Sequence, residues 1–438
     1  MVRQSSRQFV LGFFSSFSPP AWHAASDRLH GADWASGAFH SRLAKRVEEE
    51  CFDFLFFEDT SSVSRIGGSM DLDLANVYSS PKNDPVALLP FLAAQTERLG
   101  LVATASTSLY PPYLLARALG TLDSLSGGRI GWNIVTTSEK ESAQNFGMDD
   151  LPPVAERYDR ADEFVEVVSK LWDSWEAGAV IADVERGIYT DPAGVREIAH
   201  EGRYFKVRGP LNSAPSPQGR PVFVQAGGSD KGRDFAAKHA EIIMSTTIGG
   251  VEAMKSFRED VQGRMKSFGR DPRECKILYL ARVNIADSMD QFRASITDEQ
   301  IRTVLGTHSA HLGIDLTRFD MHKPIPQDAV TNGTTSMFDA LKKKGAQGQS
   351  IRDVMIDFNW GDRNNGQIGK AGDVADYLID MMEEAGGDGY LIGATKEANA
   401  NFLSGIFDGL VPALKERGAM QRAYGPGATL RERLFGAH

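Results

Sequence analysis

Short, unbroken apolar runs alternate along the chain with longer stretches whose apolar residues recur every three or four positions. The runs occupy residues 9–14, 52–57, 101–106, 129–135, 221–226, 241–244, 276–280 and 389–392. Each is too short for a stable helix and shows little polar alternation, as expected of a strand covered on both faces. Residues 39–50, 85–92, 112–125 and 156–175 have helical spacing, and Pro85 stands where a helix would begin. Strand then helix, eight times over, predicts a (β/α)8 TIM barrel, an α/β fold. A doubly wound open sheet is the alternative. A minimal barrel uses about 250 residues, and this chain has 438. The surplus is assigned to two long insertions after strands, at residues 179–219 and 284–369, within one domain spanning 1–438. Loops after barrel strands carry active sites, so these insertions are expected to wall or cover a substrate.

Composition narrows the function. The net charge is −10 with no block of Lys or Arg, which excludes sequence-independent nucleic-acid binding and an anionic membrane surface. Arg3 and Arg7 precede the first run as in a signal peptide. That run is short, however, and is followed by Pro19-Pro20 rather than by small residues, so it reads as a first buried strand. Two cysteines, Cys51 and Cys275, make neither a disulfide framework nor a Cys-rich metal site. Free buried thiols fit a reducing, cytoplasmic setting. The histidines are scattered. His308 and His311 share one helix face without acidic neighbours, so they are candidates for proton transfer or substrate contact rather than for a metal, and no metal is expected.

Polar residues gather where the strands end: Asp59, Thr104, Ser106, Asn133, Thr137, Ser138, Gly227, Gly228 and Ser229. Singly, each is an ordinary cap or turn residue. In a barrel all strand ends face one rim, so together they line a ligand cavity. Ser229 caps a helix whose first N–H groups suit a phosphate. There is no Walker A motif and no GxGxxG opening a helix, and HExxH and GxSxG are also missing. Phe13, Phe14 and Trp22, close to the end of the first run, would make one side of the cavity apolar and are the candidate substrate contacts. Such a cavity suits a flat phosphorylated cofactor.

With these motifs the chain resembles the bacterial-luciferase-like flavin monooxygenases, in the branch of the nitrilotriacetate, dibenzothiophene-sulfone and long-chain alkane monooxygenases. The resemblance lies in residues 52–59, 104–107, 112–117, 122–136 (ending SGGRIGWNIVT), 156–158, 225–229 and 429–432. It implies a TIM barrel that uses reduced FMN and O2, with a separate NAD(P)H:flavin reductase as partner. It also implies a small organic substrate that is hydroxylated or cleaved at a C–N, C–S or C–halogen bond, and a homodimer or homotetramer. By the same resemblance Asp59, Thr104, Ala105 and Ser106 stand beside the flavin ring, and Asn133, Thr137 and Ser138 along ring and ribityl chain. Tyr158, Ala226, Gly227, Gly228 and Ser229 hold the phosphate. Asn133, Ser138, His308 and His311 are the candidate catalytic residues. The chain departs from its relatives at Val154 and Ser138, where some carry histidine, and at Glu58, where many have a small residue. A deazaflavin (F420)-dependent hydride transfer on the same barrel, or flavin binding without catalysis, are the alternative readings.

Overall fold

The computed structural model describes residues 3–20, 33–65, 69–76, 80–245, 250–312, 314–330, 335–360, 368–393, 400–427 and 429–436. The eight apolar runs are eight strands: β1 (Val10–Ser16), β2 (Phe54–Glu58), β3 (Gly100–Ser106), β4 (Ile130–Val135), β5 (Val222–Gln225), β6 (Ile242–Ser245), β7 (Lys276–Ala281) and β8 (Gly389–Gly393). They form one closed parallel barrel in chain order. Closure excludes the open sheet, because β1 pairs with both β2 and β8, Phe14 lying level with Phe56 on one side and Gly393 on the other.

The unbroken apolar runs have a simple cause. Successive side chains on a strand point to opposite faces, and here both faces are covered. Phe14, Phe54, Phe56, Val102, Val224, Met244, Leu278, Leu280 and Leu391 meet in the lumen. The intervening residues, among them Phe13, Leu55, Phe57, Ala103, Trp132, Phe223 and Tyr279, pack outward. They face a ring of helices that includes α1 (Ala38–Glu49), α2 (Pro85–Ala93), α3 (Pro112–Ser126), α4 (Val154–Trp172), α5 (Asp230–His239) and α6 (Gly250–Ser267). Asp84 caps α2 by accepting from the Val86 N–H at 2.8 Å, with Pro85 in the first turn as its position predicts.

Residues 284–369 leave and rejoin the barrel through two short parallel strands, Asn284–Ile285 and Ile368–Gly369, which pair with each other. Between them lie α7 (Asp298–Leu312), α8 (Thr335–Gly345) and α9 (Ile351–Trp360). These enclose a core of their own around Ile301, Leu305, Leu316, Leu341 and Met355. The chain then returns to the barrel layer with α10 (Ala371–Ala385).

At the N-terminal end of the barrel α11 (Leu430–Phe435) acts as a plug. Its Leu430 and Leu434 complete the lumen core. Thr429 and Glu432 form a capping box at its start. Arg431 and Arg220 both pair with the buried Glu241 at 2.7 Å. Burial opposes the Glu241 charge, but the two guanidinium groups outweigh it and hold the carboxyl at about 2. A groove of about 870 Å³ borders this cluster; its charged groups join the plug to the barrel. Among the described residues no helix is long and apolar enough to cross a membrane.

His40 of α1 is wholly buried among Phe17, Phe39 and Phe57, its Nε2 2.9 Å from the Ser16 carbonyl and its Nδ1 without a partner. Burial depresses its pKa to about 4. The unfolded chain therefore binds a proton below about pH 6.5 that the folded chain refuses. Stability is predicted to fall as pH drops from 6.5 toward 4, with His40 contributing up to about 3 kcal/mol. Urea unfolding at several pH values should show a shallower acid loss in His40→Gln than in wild type; equal slopes would refute the assignment.

Candidate active site

At the C-terminal rim the ends of β2 to β5 enclose a cavity of about 460 Å³. Asp59, Thr104, Ala105, Ser106, Thr137, Ser138, Tyr158, Ala226, Gly227, Gly228 and Ser229 all line it. Asn133 lies just beneath, buried in the wall. Its Nδ2 donates to Thr104 Oγ1 at 2.8 Å, and Thr104 Oγ1 donates to the Phe57 carbonyl at 2.9 Å. This leaves Asn133 Oδ1 buried without a partner, a cost that a ligand donor at this spot would remove.

Thr137 has φ 55°, a left-handed backbone that a threonine adopts at a cost of about 1–2 kcal/mol. Its hydroxyl is 2.5 Å from Ser106 Oγ, so the two strand ends are tied together at the cavity wall. Such strain is typical of functional loops. Asp59 is pushed up to about 7, chiefly by burial, with Glu58 and Asp84 adding to it against Lys82. Lys82 Nζ sits 2.8 Å from both oxygens of Glu58. Glu58, the departure noted in the sequence, is therefore the partner of a buried lysine, and Asp59 is a carboxyl poised to hold or release a proton near neutrality.

The other end of the cavity is built at the start of α5. Ser229 Oγ accepts from the Gly232 N–H at 3.1 Å. A Cβ on Gly227 would stand 2.6 Å from the Gly232 carbonyl oxygen, so only glycine allows the loop to fold onto the helix. A Cβ on Gly232 would lie 3.0 Å from the Tyr158 hydroxyl, which places that hydroxyl against the first turn of α5. Arg157, the neighbour of Tyr158 on α4, also lines the cavity. Its Nη1 donates to the Pro152 carbonyl, while its Nε is buried without an acceptor. Cation, hydroxyls and helix N-terminus converge here as in an anion site. Arg157 was not among the residues singled out from the sequence; its place beside Tyr158 within the 156–158 motif was the available signal.

The remaining candidates divide. Ser138 is exposed and donates to Glu139 Oε1 at 2.7 Å. Phe14 is half-buried in the lumen and stacks on Phe56 at 5.3 Å. Phe13 points the other way: it has no exposed surface and packs on Phe52 and Phe407, so it is outer-layer core and not a substrate contact. His308 is 3.1 Å from Asn359 Oδ1 and packs edge-on against Phe358, joining α7 to α9. It is not part of the cavity wall. Trp22 and the side chain of His311 lie outside the described residues. Among the described residues no three His, Cys, Asp or Glu side chains come together to hold a metal.

The two glycines make a matched test. Gly227→Ala forces backbone atoms apart and is predicted to cost about 1–3 kcal/mol, measured as a loss in unfolding free energy. A Cβ on Gly228 meets nothing within 4 Å, so Gly228→Ala should stay within about 0.5 kcal/mol of wild type. Equal effects would contradict the close approach.

Residues 11–389 match the luciferase-like monooxygenase family. Dibenzothiophene-sulfone monooxygenase of Rhodococcus erythropolis (strain XP) is 34% identical over 454 aligned residues, covering 99% of this chain and 97% of the relative. Nitrilotriacetate monooxygenase component A of Aminobacter aminovorans is 33% identical, covering 98% and 97%. The crystal structure of a riboflavin lyase with modified FMN and its substrate riboflavin superposes with a TM-score of 0.81 at 30% identity, over 98% of this chain and 96% of that one. On sequence and fold together, the chain belongs to the luciferase-like monooxygenase family.

Proposed function

We propose that this protein is the oxygenating component of a two-component system. It takes reduced FMN from a separate NAD(P)H:flavin reductase into the rim cavity and directs one atom of O2 onto a small organic substrate. The observation that carries this reading is the pair of buried, unpartnered polar atoms at the cavity, Asn133 Oδ1 and Arg157 Nε. A flat ring with hydrogen-bonding edges at one end and a phosphate at the other matches them both. A relative named as a component A, and a similar fold solved with a modified FMN, support the same cofactor and the same division of labour.

Bound reduced flavin supplies the electrons that activate O2. The chain's own residues do the rest. Arg157, Tyr158, Ser229 and the first turn of α5 bind the phosphate and fix the cofactor's depth. The Asn133–Thr104 pair, anchored on the Phe57 carbonyl, orients the ring. The lumen beneath is packed with apolar side chains, which keeps water from the floor of the site. Asp59, held up to about 7, is the group able to exchange a proton at working pH.

Anaerobic titration with reduced FMN, followed by a pulse of isotopically labelled O2 and mass spectrometry of candidate substrates, tests this reading. Tight binding and substrate-dependent label incorporation are expected. Retention of F420 in place of FMN, or bound FMN with no label transferred, would overturn it. Arg157→Met should weaken FMN binding about tenfold or more while leaving riboflavin, which has no phosphate, unchanged. Equal losses for both flavins would remove Arg157 from the phosphate site.

A further inference from the structure

We propose that the hairpin at residues 180–190 is a docking arm for a second copy of this chain. The arm of each protomer lies in the groove at the N-terminal end of its partner's barrel, so that a two-fold axis makes the contact twice.

The arm is unusual for a surface hairpin. Its strands, Val180–Asp183 and Ile188–Thr190, pair only with each other, and a lone two-stranded ribbon is marginal in water. Its side chains are nonetheless apolar on the outside. Val184 is 92% exposed and Tyr189 66%, and Ile181 and Ile188 are exposed as well. Four large apolar side chains on one projection form the kind of patch that marks an interaction surface. Strand addition along its edge is disfavoured, because the pairing shifts register between Val180 and Asp183, where Ala182 has φ 50°. The arm therefore offers its side chains and not a free edge.

Position decides what those side chains can meet. α4 starts beside the rim cavity, which its Val154, Arg157 and Tyr158 line, and runs down the barrel to Trp172. The base of the arm is fixed next to that lower end: Trp175 bridges to Val195, and the Glu176 N–H donates to the Gly194 carbonyl at 2.8 Å. The groove of about 870 Å³ opens at the same end, between α4, the plug helix and the starts of β5 to β7, and Val165, Phe223 and Phe435 give it an apolar lining. Arm and groove thus share one end of one molecule, as a self-complementary interface requires. Together they give each protomer a patch of the size a stable interface uses, about 20–30 residues a side.

The charges agree. Arg220, Arg431, Lys238, Arg270 and Arg273, the other cations of the groove, each have a carboxylate partner. Lys276 has no ion pair among the described residues, and its Nζ lies over the Phe435 ring at 5.3 Å. On the arm Asp183 is paired with Arg186. Glu185, at the tip beside Val184, is exposed and has no ion pair among the described residues. An unpaired cation over an aromatic ring in the groove answers an unpaired anion beside an apolar side chain on the arm.

Analytical ultracentrifugation of the full chain tests this. Val184→Asp combined with Tyr189→Ser is expected to halve the assembled mass and to leave circular dichroism and Tm unchanged, since both side chains face solvent. Glu185→Lys and Lys276→Glu each turn two symmetric attractions into repulsions and should weaken association about tenfold. The chain carrying both reversals should recover most of it, a rescue that a folding defect cannot produce. A wild-type monomer, a mass unchanged in the Val184/Tyr189 variant, or a double reversal no stronger than the single ones would each overturn the proposal. A monomer that binds a flavin reductase through the arm would assign the arm to that protein and overturn it too.

Discussion

The rest of the structure depends on how the lumen of the barrel is filled. Eight tilted strands leave room in the middle for side chains and nothing more. Phe54, Phe56, Val102, Val224, Leu278 and Leu391 take up that room. Going up β2, β3 and β4, the lumen positions change to polar at nearly the same height: Phe56 to Glu58, Val102 to Thr104, Gly131 to Asn133. The change happens where the filling stops and a cavity becomes possible. Asn133 sits on that boundary. One side of its amide is satisfied by Thr104 and the other is left open, an acceptor that a donor group entering from the cavity would satisfy.

The two ends of the barrel answer opposite demands. At the N-terminal end Glu241 is held by Arg220 and Arg431, and the plug helix closes the lumen with leucines. At the C-terminal end the Asp59 carboxyl is pushed up to about 7 by burial, and Thr137 keeps a strained backbone. A buried ion triad is not itself a large source of stability. Its role is to fix where the C-terminal helix docks.

The fold was legible in the sequence because barrel strands are apolar on both faces and so stand out as solid runs. The same property hid the phase of each run. Phe13 and Phe14 are indistinguishable in a run apolar on both sides, yet one lies in the outer layer and the other in the lumen. The rim residues were legible because a closed parallel sheet gathers strand ends that are far apart in sequence. Arg157 was not, because an arginine in the first turn of a charged helix reads as a solvated face. His308 was misplaced for a different reason: its partner, Asn359, lies on another helix of the insertion, and no local pattern announces a contact between two such helices.

The insertion between Asn284 and Gly369 has its own apolar core and joins the barrel through a pair of adjacent strands. Free energies of substitutions in separate cores add without interfering. Residues around Leu305 and Met355 can therefore be exchanged without drawing on the packing that holds the barrel closed. The insertion is in this sense a separate evolutionary compartment. It can change its sequence while the rim cavity, built from the ends of β2 to β5, keeps its own packing.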